Sequence, residues 1–159
     1  MKSPSPCAVP AKALTFLKGA DYSDAFEVEL DGQMNALEAA RKLMSHTPRW
    51  VSPLIGLRNI LMRPFGLVSS TNTVAGPAGK VGFFPVLDVT DNCVVMGLND
   101  KHLDFRLVVT VWPQGMNHTH VVVSNVLKRY NLLGRIYLAA VLPFHRIIVP
   151  AFMRSGIAG

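Results

Sequence analysis

Cysteine and charged residues are scarce in this chain. Among its 159 residues there are only two cysteines, Cys7 and Cys93, which provide neither a disulfide framework nor the spacing of a zinc site. Two isolated cysteines favour a reducing compartment, so we expect a cytoplasmic protein. Only 16% of the residues are charged and 50% are hydrophobic, a composition that excludes an intrinsically disordered chain and is typical of a globular domain.

Long hydrophobic runs are also missing. The longest uncharged apolar run near the C-terminus is Ile136–Phe144, whereas a membrane-spanning helix needs about 20 apolar residues. The apolar patch near the N-terminus, Ala13–Leu17, is too short for the hydrophobic region of a signal peptide. We therefore expect neither a transmembrane segment nor secretion.

Acidic residues are absent from the last third of the chain. Residues 105–159 hold six Lys or Arg and no acid, whereas residues 21–38 hold six acids and no Lys or Arg. The acids of an early strand either pair with basic neighbours or leave a positive rim that attracts an anionic ligand or surface. No basic run exceeds two residues and none is interleaved with aromatic residues, so the sequence does not favour nucleic-acid binding.

The first half of the chain predicts a leader, a strand and two helices. Residues 1–19 are rich in Pro, Ser, Ala and Lys and predict a flexible leader, followed by one domain over residues 20–159. Alternation from Tyr22 to Leu30 predicts a half-buried strand. Capping and apolar spacing then predict helices over Asn35–Ser45 and Pro53–Met62.

The second half predicts a meander of strands followed by one long helix. A loop over residues 69–79, interpreted as a solvated connector or a gate, comes first. Four alternating runs follow, at Gly82–Asp88, Cys93–Leu98, His102–Trp112 and Thr119–Lys128. From Asn131 to about Arg154 the apolar period becomes helical, and its broad apolar arc predicts a helix buried over much of its surface. Pro143 and Pro150 are expected to kink this helix.

These elements predict an α+β fold. In it, a curved antiparallel β-sheet, with two short helices after its first strand, wraps around the long kinked C-terminal α-helix. Such folds often keep a cavity between the sheet and the helix.

Four segments of the chain resemble one protein family. They are Ala20–Phe26, Gly82–Val86, Met96–Arg106 and Leu142–Pro150, and they are similar to the family called domain of unknown function 2867. The likeness covers about residues 20–154. It implies a helix-grip fold, the fold of START lipid-transfer domains, birch-allergen-like proteins and polyketide cyclases, but it implies no fixed catalytic set and no cofactor.

Polar side chains at the edges of the predicted core are the candidate ligand-binding residues: Arg58, Asp104, Arg106, Arg135, His145 and Arg146. On a helical wheel Arg135 and Arg146 lie about 20° apart. They either bind a carboxylate or phosphate together, or reach solvent or acids such as Asp104 and Asp24. Strand alternation places Asp104 and Arg106 opposite an apolar face, which favours the outer side of the sheet for both.

Three functions fit these residues. The first is non-catalytic binding of a small hydrophobic molecule or lipid, with or without an anionic head, oriented by the candidate arginines or His145. The second is a cyclase- or dehydratase-like enzyme that uses His145 or Asp104 as a general acid or base. The third is an interaction domain with a filled core. We expect no metal site, because His118 and His120 share one side of a strand without a third ligand.

Overall fold

The computed structural model describes residues 3–65, 79–82, 84–99 and 102–158. Its strands are β1 (Ser5–Pro6), β2 (Tyr22–Asp31), β3 (Lys80–Val81), β4 (Phe84–Thr90), β5 (Cys93–Asn99), β6 (Leu103–Gln114) and β7 (His118–Arg129). Its helices are α1 (Ala11–Leu14), α2 (Ala36–Met44), α3 (Val51–Met62) and α4 (Leu132–Ala158), with a short 3-10 turn at Arg63–Phe65. Residues 69–78 of the predicted loop, Phe83 of the segment Gly82–Val86, and Asp100 and Lys101 of the segment Met96–Arg106 lie outside this description.

The strands form one curved antiparallel sheet in the order β1-β2-β7-β6-β5-β4-β3. The predicted first strand therefore pairs with the last one, β7, and the four later strands follow as a meander. A register shift between Val86 and Asp88 interrupts the β4–β5 ladder, and such irregularities bend a sheet locally. This α+β architecture confirms the predicted fold class and is consistent with a helix-grip arrangement.

The start of α2 is the capping box predicted from sequence. The Asn35 side chain accepts a hydrogen bond from the Glu38 backbone N–H at 2.9 Å, and the Glu38 side chain accepts one from the Asn35 N–H at 2.9 Å. Two of the orphan donors at the helix start are thereby satisfied. The apolar side of α2, with Ala36, Ala40 and Leu43, is buried against the inner face of the sheet.

The N-terminal segment lies on the outer face of the sheet. Ser5 and Pro6 pair with β2. Ala13 and Leu17 are buried among outer-face residues such as Val108. The mobility of the predicted leader stays a prediction, but its described part covers apolar surface that would otherwise meet water.

Helix α4 runs continuously through Pro143 and Pro150. Its C-terminal part packs closely on α2, where a Cβ added to Gly156 would lie 2.4 Å from the Cα of Leu43. The N-terminal part of α4 is less buried, since Ile136 is 57% exposed and Phe144 is 53% exposed. The predicted burial over much of the helix surface is therefore wrong for this part. Periodicity reports which side chains are apolar, but not what lies against them.

One helix in the described residues, α4, is long and apolar enough to cross a membrane, and 22% of its most apolar window is buried. Length and composition alone are weak evidence for a membrane span. The absence of a transmembrane segment stays a prediction.

Candidate functional site

A cavity of about 400 Å³ lies between the inner face of the sheet and helices α2, α3 and α4. Its walls are formed mainly by aliphatic and aromatic side chains, among them Leu43, Leu54, Phe105, Leu107 and Ile148. This volume falls within the range of about 300–1,000 Å³ that is typical of small-molecule sites. Within the described residues, the polar side chains on its wall are Arg58, Asn125, Tyr137 and His145.

One polar group on the wall joins α3 to α4. Arg58 Nε donates a hydrogen bond to the Tyr137 hydroxyl at 2.9 Å, and its guanidinium lies 5.3 Å from the centroid of the Tyr137 ring. Arg58 Nη1 also donates to Asn59 Oδ1 at 2.9 Å. These contacts fix a cation at the edge of an apolar cavity, where a guanidinium is suited to bind a carboxylate or phosphate.

A second polar group lies where β2, β7 and α4 meet. Asp24 and Asn125 are cross-strand partners, and Asn125 Nδ2 donates to Asp24 Oδ1 at 2.7 Å. The Tyr22 hydroxyl donates to Asp24 Oδ2 at 2.8 Å. His145 Nδ1 lies 3.8 Å from the same oxygen, which is too long for a direct hydrogen bond but close enough for an ion pair. We call Tyr22, Asp24, Asn125 and His145 the polar cluster.

The polar cluster favours an ionised Asp24. Burial raises the pKa of its carboxyl, but the nearby His145 and the donors from Asn125 and Tyr22 outweigh burial, so the pKa lies below its ordinary value. For Tyr22, burial and the hydrogen bond to Asp24 raise the pKa of the phenol, against the opposing effect of Arg146. At neutral pH the cluster therefore contains the Asp24 carboxylate and the neutral phenol of Tyr22.

Two polar atoms of the cluster make no hydrogen bond to any residue that the structure describes. Within the described part of the chain, Asn125 Oδ1 and His145 Nδ1 are buried without a hydrogen bond. Asn125 is fully buried and lines the cavity. A buried acceptor without a partner costs about 1–3 kcal/mol. A hydroxyl, an amine or a water molecule in the cavity would satisfy the Asn125 oxygen.

The structure brings two of the six candidate residues to the cavity. Arg58 and His145 both line it, on different parts of the wall. Because Phe105 and Leu107 line it from β6, strand alternation places Asp104 and Arg106 on the opposite face, as predicted.

On that outer side, Asp104 accepts a hydrogen bond from the Tyr130 hydroxyl. This bond contributes most to raising the pKa of Tyr130. Arg106 donates to the Phe105 carbonyl at 2.9 Å. Asp104 therefore lies on the outer side of the sheet, away from the cavity.

Arg135 and Arg146 are exposed on α4 and do not line the cavity. Eleven residues of helix separate them by about 16 Å, so one small anion does not bridge both. Arg146 lies beside the Tyr22 hydroxyl. The prediction of a paired arginine site is not supported by this spacing.

Sequence reasoning missed Asp24, Asn125 and Tyr137. Asp24 lies on the same face of β2 as the apolar residues Phe26 and Val28, and Asn125 lies on the same face of β7 as Val121 and Val123. A polar residue on an otherwise apolar strand face was the signal that could have identified both. Tyr137 falls within the apolar arc of the last helix, where spacing alone gives its hydroxyl no partner, and in the structure that hydroxyl accepts a hydrogen bond from Arg58.

Outside the cluster, three acids in or next to β2 pair with basic neighbours, which is one of the two interpretations of the sequence. Glu27 lies 3.4 Å from His120, Asp31 lies 3.3 Å from His118, and Asp21 forms a salt bridge with Arg129 at 2.9 Å. In the residues that the structure describes, no group of three His, Cys, Asp or Glu side chains could hold a metal ion.

Comparison with protein families identifies the domain. A family model described as protein of unknown function (DUF2867) matches residues 16–152. The chain belongs to the DUF2867 family. This confirms the resemblance found in the sequence, and the DUF2867 match also includes the end of the segment predicted as a leader. No curated protein and no solved structure matches the chain.

Proposed function

We propose that this DUF2867 protein binds a small hydrophobic molecule or lipid in the cavity between the sheet and α4. The observation that carries the proposal is a cavity of about 400 Å³ with an almost entirely apolar wall. An interaction domain with a filled core has no need for such a space, because protein interiors are normally close-packed. The transfer of an apolar ligand from water into this cavity would provide most of the binding free energy.

The polar groups on the wall would orient the ligand. Arg58, held by Tyr137, suits an anionic head at the α3–α4 side. The unpaired Asn125 oxygen suits a donor such as a hydroxyl at the sheet side. The ligand class supported best is therefore an amphiphile with one long apolar part and polar groups at its ends.

The test is mass spectrometry of solvent extracts from purified, denatured protein, with an unrelated protein as control. Ala140 lines the cavity and is exposed at its edge, whereas Ala139 is exposed but does not line it. We expect a stoichiometric apolar molecule from the wild type and from Ala139→Trp, and its loss from Ala140→Trp, because the indole would obstruct the cavity. Equal recovery from both variants, or an empty extract from the wild type, would contradict the proposal.

A second function, proton-transfer catalysis of the cyclase or dehydratase kind, is favoured by the polar cluster. Asp24 faces Nδ1 of His145, and this leaves the Nε2 edge of the imidazole for a ligand. In the proposed step, Nε2 accepts a proton from a ligand carbon next to a carbonyl group, and the electron pair of the broken C–H bond moves onto the carbonyl oxygen to form an enolate. Asp24 would stabilise the imidazolium that forms.

This step is tested by incubating the extracted ligand with protein in deuterated water. A proton held on His145 exchanges with solvent, so we expect the wild type to return deuterium to the ligand carbon. His145→Gln should abolish this incorporation, while Arg106→Gln, on the outer side of the sheet, should not change it. Deuterium incorporation at the same rate in the wild type and His145→Gln would exclude His145 as the base.

A further inference from the structure

Two of the helices that border the cavity expose large apolar side chains. On α4, Leu132 is 72% exposed and Ile136 and Ile147 are each 57% exposed. On α3, Leu57 is 52% exposed and Ile60 is 71% exposed. Scattered exposed apolar residues are normal, but a contiguous group usually marks an interaction site. We call Leu57, Ile60, Leu132, Ile136, Phe144 and Ile147 the apolar surface.

The apolar surface continues into the mouth of the cavity. Leu57 on α3 and Phe144 on α4 are both more than half exposed, and both also line the cavity. At 100° per residue, Leu132, Ile136 and Ile147 fall within an arc of about 60° on α4. An apolar ligand that leaves the cavity on this side therefore meets the apolar surface before it meets water.

The charges on the helices and the turn that carry the apolar surface have one sign. Residues 51–65 and 132–158 contain no Asp or Glu. Arg63, Arg135, Arg146 and Arg154 on the same helices and turn are exposed. Arg135 and Arg146 lie about 20° apart on the wheel, along one edge of the apolar arc. An apolar stripe bordered by arginines is the pattern of a helix that lies in a lipid interface.

Apart from Asp24, which lies beside His145 in the polar cluster, the acids of β2 lie on the other side of the molecule. Glu27 and Asp31 belong to the outer face of the sheet, where they contact His120 and His118, whereas α4 lies against the inner face. Trp50, at the start of α3, is 46% exposed, and tryptophan is enriched at membrane–water interfaces. A bilayer approached from the helix side thus meets arginines, tryptophan and aliphatic side chains.

We propose that the apolar surface docks on an anionic lipid bilayer, with the mouth of the cavity turned toward the lipid. Anionic headgroups complement the arginines, and the acyl region complements the aliphatic side chains. A symmetric contact between two copies would instead bring like-charged arginines together, which disfavours self-association. This inference deepens the proposed function, because it makes the bilayer the source or destination of the apolar ligand.

The test is co-sedimentation with vesicles of phosphatidylcholine alone and of phosphatidylcholine mixed with phosphatidylserine. We expect binding to the mixed vesicles and little binding to the neutral ones. Ile136→Asp with Ile147→Asp should weaken binding roughly tenfold or more, since burial of both side chains is lost. Arg135→Gln should weaken it about fivefold and only on anionic vesicles. Met116→Asp is the matched control, because Met116 is 84% exposed in the β6–β7 turn.

Several results would overturn the inference. Equal binding to neutral and mixed vesicles would exclude recognition of anionic lipid, and equal binding by Ile136→Asp/Ile147→Asp and Met116→Asp would exclude the apolar surface. A wild-type dimer in light scattering that Ile136→Asp dissociates would make the surface a contact between copies. Extraction of the ligand from the same variants is a separate readout, so vesicle binding can fail while the cavity still holds its ligand.

Discussion

Asp24 is a polar residue on a buried strand face, and its neighbours in sequence do not show which groups it contacts. It stands on the strand face that also carries Phe26 and Val28, both buried. A carboxylate in such a place requires donors, and the structure supplies them from Tyr22 and Asn125. The low pKa of this carboxyl, caused by His145 and these donors against the opposing effect of burial, makes stability depend on pH.

We expect the free energy of unfolding to fall as the pH drops below 3.8, the ordinary pKa of an aspartate. The pKa of Asp24 is lower in the folded protein, so in this window the unfolded chain binds more protons and acid favours it. Above this pH the contribution of Asp24 is fully present. Asp24→Asn should lower stability at neutral pH by about 1–3 kcal/mol, and the difference from the wild type should shrink as the pH falls.

Urea denaturation at a series of pH values measures this effect. Asp91→Asn, which alters an exposed carboxyl in the β4–β5 turn, is the control. Its stability should stay parallel to the wild type across the acid range. Parallel curves for Asp24→Asn and the wild type would show that Asp24 does not titrate differently in the two states.

At the level of elements, two helical glycines have opposite surroundings. A Cβ on Gly156 of α4 would lie 2.4 Å from Leu43 Cα and 2.5 Å from Lys42 O, both backbone atoms of α2. A Cβ on Gly56 of α3 would meet nothing within 4 Å. The close crossing of α2 and α4 depends on the missing side chain at Gly156, whereas Gly56 only lowers the helix propensity of α3.

Gly156→Ala and Gly56→Ala should therefore shift stability in opposite directions. We expect Gly156→Ala to lower the free energy of unfolding by about 1–3 kcal/mol through overpacking. Gly56→Ala should raise it by up to about 1 kcal/mol through helix propensity. Chemical denaturation of the two variants beside the wild type measures both shifts. A stable Gly156→Ala would mean that α4 can move away from α2 at little cost.

At the level of the whole molecule, the sheet separates two environments. Its outer face is covered by residues of the N-terminal segment such as Ala13 and Leu17. Its inner face holds the apolar core beside α2 and the cavity beneath α4. The charges behind the net +6 are divided accordingly, with Glu27 and Asp31 of β2 paired on the outer side and the arginines of α3 and α4 on the helix side.

Local patterns determined most of the elements. Strand alternation and the capping box depend on neighbours a few residues apart, so the strands β2 and β4–β7, the start of α2 and the long last helix were predictable within a few residues. The four segments Ala20–Phe26, Gly82–Val86, Met96–Arg106 and Leu142–Pro150 together were also sufficient to indicate the family. The structure placed Arg58 and His145 at the cavity, but sequence could not separate them from the four other candidates.

Tertiary structure alone decided the site. Asp24 and Asn125 are 101 residues apart in sequence and meet only because β2 pairs with β7. His145 joins them only because α4 lies across that pair of strands. The exposure of Ile136 and Phe144 was likewise decided by a cavity on one side of the helix and solvent on the other. Sequence periodicity shows which side chains are apolar or polar, whereas the contacts and burial of each side chain depend on which distant segment of the chain packs against it.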